Sequence, residues 1–332
     1  MVDPVIKGGF RLTRRMKIAT AGSCFAQHIA RYLQARGYNY MVTEMPHPVI
    51  DREVAAGFGY GTFTARFGNI YTARQLYQLA LRAYGEFMPQ ENVWQAPEGH
   101  LIDPFRPAIQ PGGFSSRAAY DADHQTHFAA VRQMIETADV FVFTFGLTEA
   151  WIARADGAVF ALAPGVAGGV YNPRRHAFVN FTVSDVVADF SAFAALMRKR
   201  NPKVKILMTV SPVPLIATAR SDQSAITATA YSKAVLRVAA EELATTLKNA
   251  WYFPSYEVIT GIAARGIYFG ADLREIRPEG VDHVMALFMR HYAGVEPDQT
   301  AAVPANAPKF HEQVEEALDI ICEEELIERA LK

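Results

Sequence analysis

Cysteine is nearly absent from this chain: 332 residues contain only Cys24 and Cys322. One stands at a glycine-serine corner and the other in an acidic tail. A structural disulfide is therefore not expected, and no cysteine-rich metal spacing exists. Charge of one sign is lacking as well. With 33 Lys and Arg against 34 Asp and Glu the formal net charge is −1. That balance implies neither a nucleic-acid footprint nor a field for acidic substrates. The first 17 residues hold no apolar leader stretch, no run of membrane-spanning length follows, and no internal repeat is evident. The expectation is a soluble, cytoplasmic protein without nucleic-acid or membrane partners. What is abundant is apolar character, half of all residues, enough for a sizeable core.

Strand-like and helix-like patterns alternate along the chain. "KIATAGS" (17–23), "DVFVFTFG" (139–146) and "KVKILMTVSP" (203–212) are continuous apolar runs that suit buried strands. "AWYFPSYEVI" (250–259) is a fourth candidate, interrupted by Pro254. Helical spacing occupies 24–36, about 121–137, about 183–200, 224–248 and 278–292, the last with Pro and Glu in its first turn. Alternation with continuously apolar strands reads as a parallel α/β sheet covered on both faces. Residues 40–120, rich in Gly, Pro and aromatics, read as a long insertion and partial lid, and 154–181 as a shorter one. Loops after strand C-termini are where such folds place substrate contacts. The expected organisation is one domain over 1–294, then a linker and an acidic amphipathic helix over 295–332. That helix carries Phe310, Val314, Leu318, Ile321 and Leu326 as its apolar stripe and is expected to pack on a second subunit or on its own domain.

The strand ends carry the reactive candidates. The first strand breaks at Gly22-Ser23-Cys24 and gives way to a helical pattern, a corner that directs side chains and free N–H groups at one spot. Ser23 could simply cap that helix, or it could be a nucleophile, which needs a base and oxyanion donors. The second strand ends in Gly146, Thr148 and Glu149, and the third in Ser211. Glu149 has equal claims to a site role and to a structural bond holding its loop. His283 lies late in the chain, eleven residues after Asp272. Cys24 is read as a small buried hydrophobe, although a thiolate at a helix start is an alternative nucleophile. His28 reads as a packing or surface residue, His47 as a turn residue, Ser232-Lys233 as helix surface or loop anchor, and "NPRRH" (172–176) as a solvated loop.

The string "GSCFAQ" (22–27) resembles the signature of the GSCFA family, which is grouped with SGNH/GDSL-type hydrolases. The likeness continues through "ARFGNIYTARQL", "VFTFGLTEAW", "HAFVNFT", "TVSPVPL", "YSKAVLR" and "YFPSYEVI". The resemblance implies a three-layer, flavodoxin-like fold and an acyl-serine mechanism that needs no cofactor and no metal. It implies Ser23 as nucleophile with its own N–H as one oxyanion donor. Gly68 or Asn69 of "RFGN" would be the next donor; in "GLTE" Gly146 matches the third block, and Thr148, standing where an Asn amide usually donates, would assist through its hydroxyl. The Asp-x-x-His block of such enzymes is broken here: "DLRE" (272–275) has Glu275 in the histidine's place, and "GVDH" (280–283) lacks the aspartate. His283 as base, oriented by Asp272, is the resolution adopted, because a neutral imidazole both accepts and returns a proton near pH 7. The expected activity is that of a serine esterase or O-acyltransferase on an ester such as an acetylated carbohydrate. The alternative is a non-catalytic binding or scaffolding protein that kept the pocket and lost the Asp-x-x-His pair.

Overall fold

The computed structural model describes residues 2–96 and 98–294. The linker and tail helix expected over 295–332, with Cys322, lie outside the described residues. In chain order, β1 (Ile18–Gly22) leads through the Ser23 corner into α1 (Phe25–Ala35). Then come α2 (Arg52–Gly57), α3 (Ala73–Ala83), a small hairpin of β2 (Trp94–Gln95) and β3 (Leu101–Ile102), and α4 (Arg117–Thr137). β4 (Val140–Phe145) is followed by β5 (Glu149–Ala153), β6 (Val159–Phe160) and β7 (His176–Asn180), then α5 (Val183–Arg200) and β8 (Lys205–Val210). α6 (Ala225–Thr246), β9 (Ala250–Tyr252), α7 (Ser255–Thr260) and α8 (Pro278–Phe288) follow among the described residues, with a π-helical turn at Met289–Ala293.

The central sheet runs β1-β4-β8-β9, all parallel. A parallel bridge joins Ile18 to Tyr40, through Ile18 N–H on Asn39 O and Met41 N–H on Ile18 O. These are the Ile18 groups that face away from β4. The chain thus leaves β1 toward one side and returns on the other, which makes the C-terminal ends of β1 and β4 a topological switch point, the usual place for a ligand crevice. Alternation along the strands fills two layers. Ile18, Val140, Val142 and Leu207 pack under α1, α7 and α8 with Phe25, Ile29, Val258 and Phe288. Ala19, Ala21, Phe141, Phe143 and Phe145 face α3, α4, α5 and α6 with Leu76, Met134, Phe190 and Leu236. Each buried Phe of that second layer stabilises the fold by roughly 1.5–3 kcal/mol relative to exposure. The expected three-layer α/β architecture is therefore present.

Local chemistry explains most of the boundaries. Thr182 and Asp185 form a capping box at the start of α5, Thr72 and Gln75 do the same for α3, and Ser116 and Ser224 cap α4 and α6. Three expectations need correction. The strand expected over 250–259 stops at Tyr252, and Pro254 occupies the N-cap of α7, because a residue without an N–H fits a helix start better than a ladder. Residues 40–120 are not merely a lid: α3 packs in the core beside α4 and α5. The shorter insertion is a sheet, β6-β5-β7, in antiparallel pairing. The N-terminal segment lies along the last turn, with Leu12 N–H on the Tyr292 carbonyl and Asp3 ion-paired to Arg290 and His291.

Gly22 explains why the first strand breaks where it does. Its φ is +138°, and a Cβ there would stand 2.4 Å from the Thr144 carbonyl oxygen. Gly22→Ala should cost at least about 2 kcal/mol through strain and backbone displacement, and a melting temperature equal to that of the native protein would refute this account.

Candidate active site

Ser23 sits at the switch point, only 2 % exposed. It does not cap α1. The N-cap is Cys24, which makes no side-chain capping bond, and the Ser23 Oγ has no hydrogen-bond partner among the described residues. A buried hydroxyl in that state normally costs free energy. The Ser23 N–H donates to the Thr144 carbonyl at 3.1 Å, so it extends the sheet ladder and is not available to an oxyanion as expected.

The β4–β5 corner stands against Ser23. A Cβ added at Gly146 would lie 3.0 Å from the Ser23 Cβ and 3.1 Å from the Tyr71 ring, tighter than ordinary contact, so a side chain there would press on both neighbours. The corner is fastened from every side. Gly146 and Leu147 N–H both donate to the Tyr71 carbonyl at 3.0 Å, and Lys233 Nζ donates to the Gly146 carbonyl at 2.7 Å. Thr148 N–H donates to Ser232 Oγ at 3.0 Å, and Thr148 Oγ1 donates to Asn180 Oδ1 at 2.6 Å. Thr148, expected to assist the oxyanion, and Gly146, expected beside it in the site, thus have their donors committed to the protein. Ser232 and Lys233, read as helix surface or loop anchor, are the anchor: both are buried. Glu149 accepts from Thr218 Oγ1 at 2.7 Å, which ties β5 to the loop after β8. Burial raises its carboxyl above the ordinary value, an effect that the Thr218 bond opposes.

The opposite wall is the segment 66–71. Ile70 N–H donates to the Gly22 carbonyl at 2.8 Å, and Asn69 Oδ1 accepts from Gln27 Nε2 at 3.1 Å, so this segment is pinned to both sides of the Ser23 corner. Gly68, at φ +70°, directs its N–H to no described residue. Two residues upstream, buried Arg66 is held by an ion pair to Asp123 at 2.8 Å and by the Phe58 and Ile109 carbonyls. Its own N–H donates to Glu44, and its carbonyl accepts from Arg106, which also pairs with Asp103 and Asp123. Glu44 further accepts from His127 Nδ1 at 2.8 Å. Burial would raise the Glu44 carboxyl, but that bond and the charges around it pull it down to about 2. An ionised carboxylate only accepts, so His127 donates from Nδ1 and keeps Nε2 as a bare acceptor. That nitrogen is buried, has no partner among the described residues, and its ring lines a cavity of about 30 Å³ with Asn69, Gln75, Gln78, Arg82 and Arg106. A water fits such a space.

His283 is elsewhere engaged. It is buried in α8 with Nδ1 2.7 Å from the Tyr268 hydroxyl, and burial pushes its pKa below the ordinary value. Because Ser23 Oγ has no hydrogen-bond partner among the described residues, the two expected catalytic groups are not joined. Asp272 does not orient His283 either: its carboxylate accepts the N–H groups of Arg274 and Glu275 in its own turn, and Glu275 is exposed beside it. His28 packs on Phe25, His47 is an exposed turn residue, and Cys24 is buried and not in a disulfide. Ser211, buried at the end of β8, accepts from Val213 N–H. No His, Cys, Asp and Glu cluster able to hold a metal occurs among the described residues, and no described helix is long and apolar enough to cross a membrane.

The family model described as GSCFA matches residues 17–288. The chain belongs to the GSCFA family. No curated protein matches the sequence. Solved structures similar to this GSCFA chain include a Clostridium thermocellum family 3 carbohydrate esterase, at 9 % identity over 83 % of this chain and 94 % of that one, TM-score 0.33. An acetyl esterase mutant with acetate ion gives 10 % identity over 81 % and 92 %, TM-score 0.30. A carbohydrate esterase family 3 protein from Talaromyces cellulolyticus gives 12 % over 82 % and 94 %, TM-score 0.27.

Sequence reasoning about this GSCFA chain missed the Glu44–Arg66–His127 network. Its only trace is Asp123 and His127, one turn apart on a helix that also buries Val131 and Met134. Burial, reinforced by the Arg106 charge, holds His127 at about 4. Between that value and the ordinary 6.5 the unfolded chain binds a proton that the folded chain refuses. The stabilisation is full above about pH 6.5 and is lost as pH falls toward 4. His28, also held at about 4 by burial and Arg31, acts with the same sign. Melting temperature should climb from pH 4 to 7, and His127→Gln should flatten part of that climb; an unchanged slope in the variant would contradict the assignment.

Proposed function

We propose that this protein is a serine esterase or O-acyltransferase of the SGNH type, working through an acyl-Ser23 intermediate. The observation that carries the reading is the buried Ser23 Oγ, held at the switch point without a hydrogen-bond partner among the described residues. In this reading Oγ attacks an ester carbonyl carbon and the carbonyl oxygen becomes an oxyanion. The Gly68 N–H receives that oxyanion, with the Asn69 side chain beside it. The Ser23 O–H bond breaks as Oγ attacks, collapse breaks the ester C–O bond, and the leaving alkoxide departs as the alcohol with that proton, which leaves the acyl group on Ser23. Water then completes hydrolysis, or a second alcohol completes transfer. An O-acetyl group on a carbohydrate is the proposed substrate, on the strength of the resemblance to SGNH-type enzymes.

One observation favours a second reading, a binding protein that has lost its chemistry: His283 is given to Tyr268, and Asp272 to its own turn. A fluorophosphonate probe separates the two, since it reacts only with an activated hydroxyl. The native protein should be labelled on the peptide containing Ser23, Ser23→Ala should lose at least about 100-fold in labelling rate with its fold intact, and Cys24→Ala should keep it. A native protein inert to the probe supports the binding reading. Labelling lost in Cys24→Ala and kept in Ser23→Ala moves the nucleophile to the thiol.

A further inference from the structure

At the C-terminal end of α3 a guanidinium stands in the fold without the partners its chemistry asks for. Arg82 is partly buried, with its guanidinium carbon 3.8 Å from the centre of the Phe105 ring and 5.2 Å from that of Phe128. Aromatic faces attract the charge. None of its N–H groups has a hydrogen-bond partner among the described residues, however, and it makes no ion pair there. Burial pulls the Arg82 guanidinium down to about 10; the Asp103 charge opposes that shift and the Arg106 charge adds to it. Asp103 is spoken for, since it accepts from Arg106 at 2.7 Å and from the Phe105 N–H at 2.9 Å. A cation taken out of water with its donors unfilled costs free energy.

Inward, Arg82 borders the small cavity beside His127, with room for about one water. Outward, it lines an open cleft of about 500 Å³ between the end of α3 and one face of α4. Gln125, Phe128 and Arg132 enter the cleft from α4 at helical spacing, and Tyr84 from the turn that ends α3. Arg132 is oriented by a hydrogen bond to the Ala83 carbonyl and makes no ion pair among the described residues. Glu136, the carboxylate that reaches Tyr84, accepts from its hydroxyl at 3.0 Å and pairs with neither arginine. The lining thus holds two arginines and no carboxylate. A cleft walled by charge of one sign concentrates the opposite ion. Its volume is that of a small-molecule site, larger than a simple ion fills.

We infer that this cleft binds a small organic anion, a carboxylate or a phosphate monoester. Its charged oxygens take the unfilled N–H groups of Arg82 and Arg132, and its body lies on Phe128 and Tyr84. The planar fork of a guanidinium suits two oxygens of one such group. Phe105 and Phe128 hold Arg82 in place for it, so little side-chain freedom is lost on binding. Nothing in this depends on the acyl-serine reading, because the cleft shares no residue with the Ser23 corner.

Isothermal titration calorimetry and thermal melting of the full-length protein, at fixed ionic strength, test this with phenyl phosphate, benzoate, inorganic phosphate, acetate and neutral benzamide. Phenyl phosphate or benzoate should bind and raise the melting temperature, and the tighter of the two identifies the anionic group. That probe should bind at least about threefold tighter than its own bare ion, because the ring covers apolar surface. Arg82→Met and Arg132→Met should each weaken it at least about tenfold, the size of one charge-assisted hydrogen bond. Arg117→Met, which removes an arginine already paired with Asp121, should leave binding unchanged. Without ligand, Arg82→Met should melt no lower than the native protein, since it removes a charge that no described group pairs. If that variant does not fold, Arg82→Lys, which keeps the charge and lacks the fork, should weaken binding in its place. A structural role for Arg82 predicts a lower melting temperature in Arg82→Met and no binding of any probe, and that result overturns the inference. Bare phosphate or acetate bound as tightly as the ring-bearing anions marks an adventitious ion only and also overturns it. So does benzamide bound as well as benzoate, binding unchanged in the arginine variants, or no heat and no shift with either ring-bearing anion at about 10 mM.

Discussion

The buried guanidinium of Arg66 is the point on which the site depends. It stands two residues before Gly68, and its charge is met by Asp123 and Glu44 while its remaining donors go to the Phe58 and Ile109 carbonyls. Charges removed from water are tolerated only when paired and fully hydrogen-bonded. Each of these partners comes from a different part of the long region between β1 and β4 and from α4, so the network gathers segments that no regular ladder joins. Loss of one partner would leave a charge unpaired in the interior, a change that typically costs several kcal/mol. The result is an irregular segment held as firmly as a strand. That matters because Gly68, whose N–H meets no acceptor among the described residues, belongs to this segment.

The second constraint is steric. Ser23 and Gly146 end adjacent parallel strands, and a side chain on the glycine would press on Ser23 and Tyr71. Tyr71 closes the third side and accepts both N–H groups of the corner. Three pieces of chain, each from a separate part of the sequence, thus meet over one hydroxyl. Their rigidity is that of the sheet below, where strand ends are fixed by a core of aromatic rings. Preorganisation of this kind is what a site needs if charge is to develop without reorganising its surroundings.

Much of this architecture is legible in the order of the amino acids. The alternation of β-branched and aromatic runs with helical spacing announces a parallel sheet, because strands buried on both faces need no polar residues. Thr182 and Ser224 mark helix starts within a residue, and the Gly22-Ser23 corner shows itself as a break in pattern. The buried ion network does not, since its members are up to 83 positions apart and no spacing rule links them. Lys233 is hidden for a different reason. Adjacent helix positions point about 100° apart, so burying Ser232 and Lys233 together requires α6 to be enclosed on more than one side, which a pattern read from one face does not reveal. The pairing of His283 with Tyr268 depends on a loop that returns to α8, and such contacts belong to tertiary structure alone.

The strap of the N-terminal segment across the last turn has a consequence for how the chain acquires its shape. Leu12 cannot make its bond to Tyr292, nor Asp3 its pairs with Arg290 and His291, until nearly the whole described chain exists. β1 faces a milder version of the same delay, since its partner Val140 lies more than a hundred positions downstream of Ile18. A nascent chain emerging from a ribosome therefore carries its first strand, and the serine at its end, unpaired through much of synthesis. Closing such distant contacts costs loop entropy before any packing returns it. The corner that holds Ser23 is in this sense the first part of the domain to be made and among the last to be assembled.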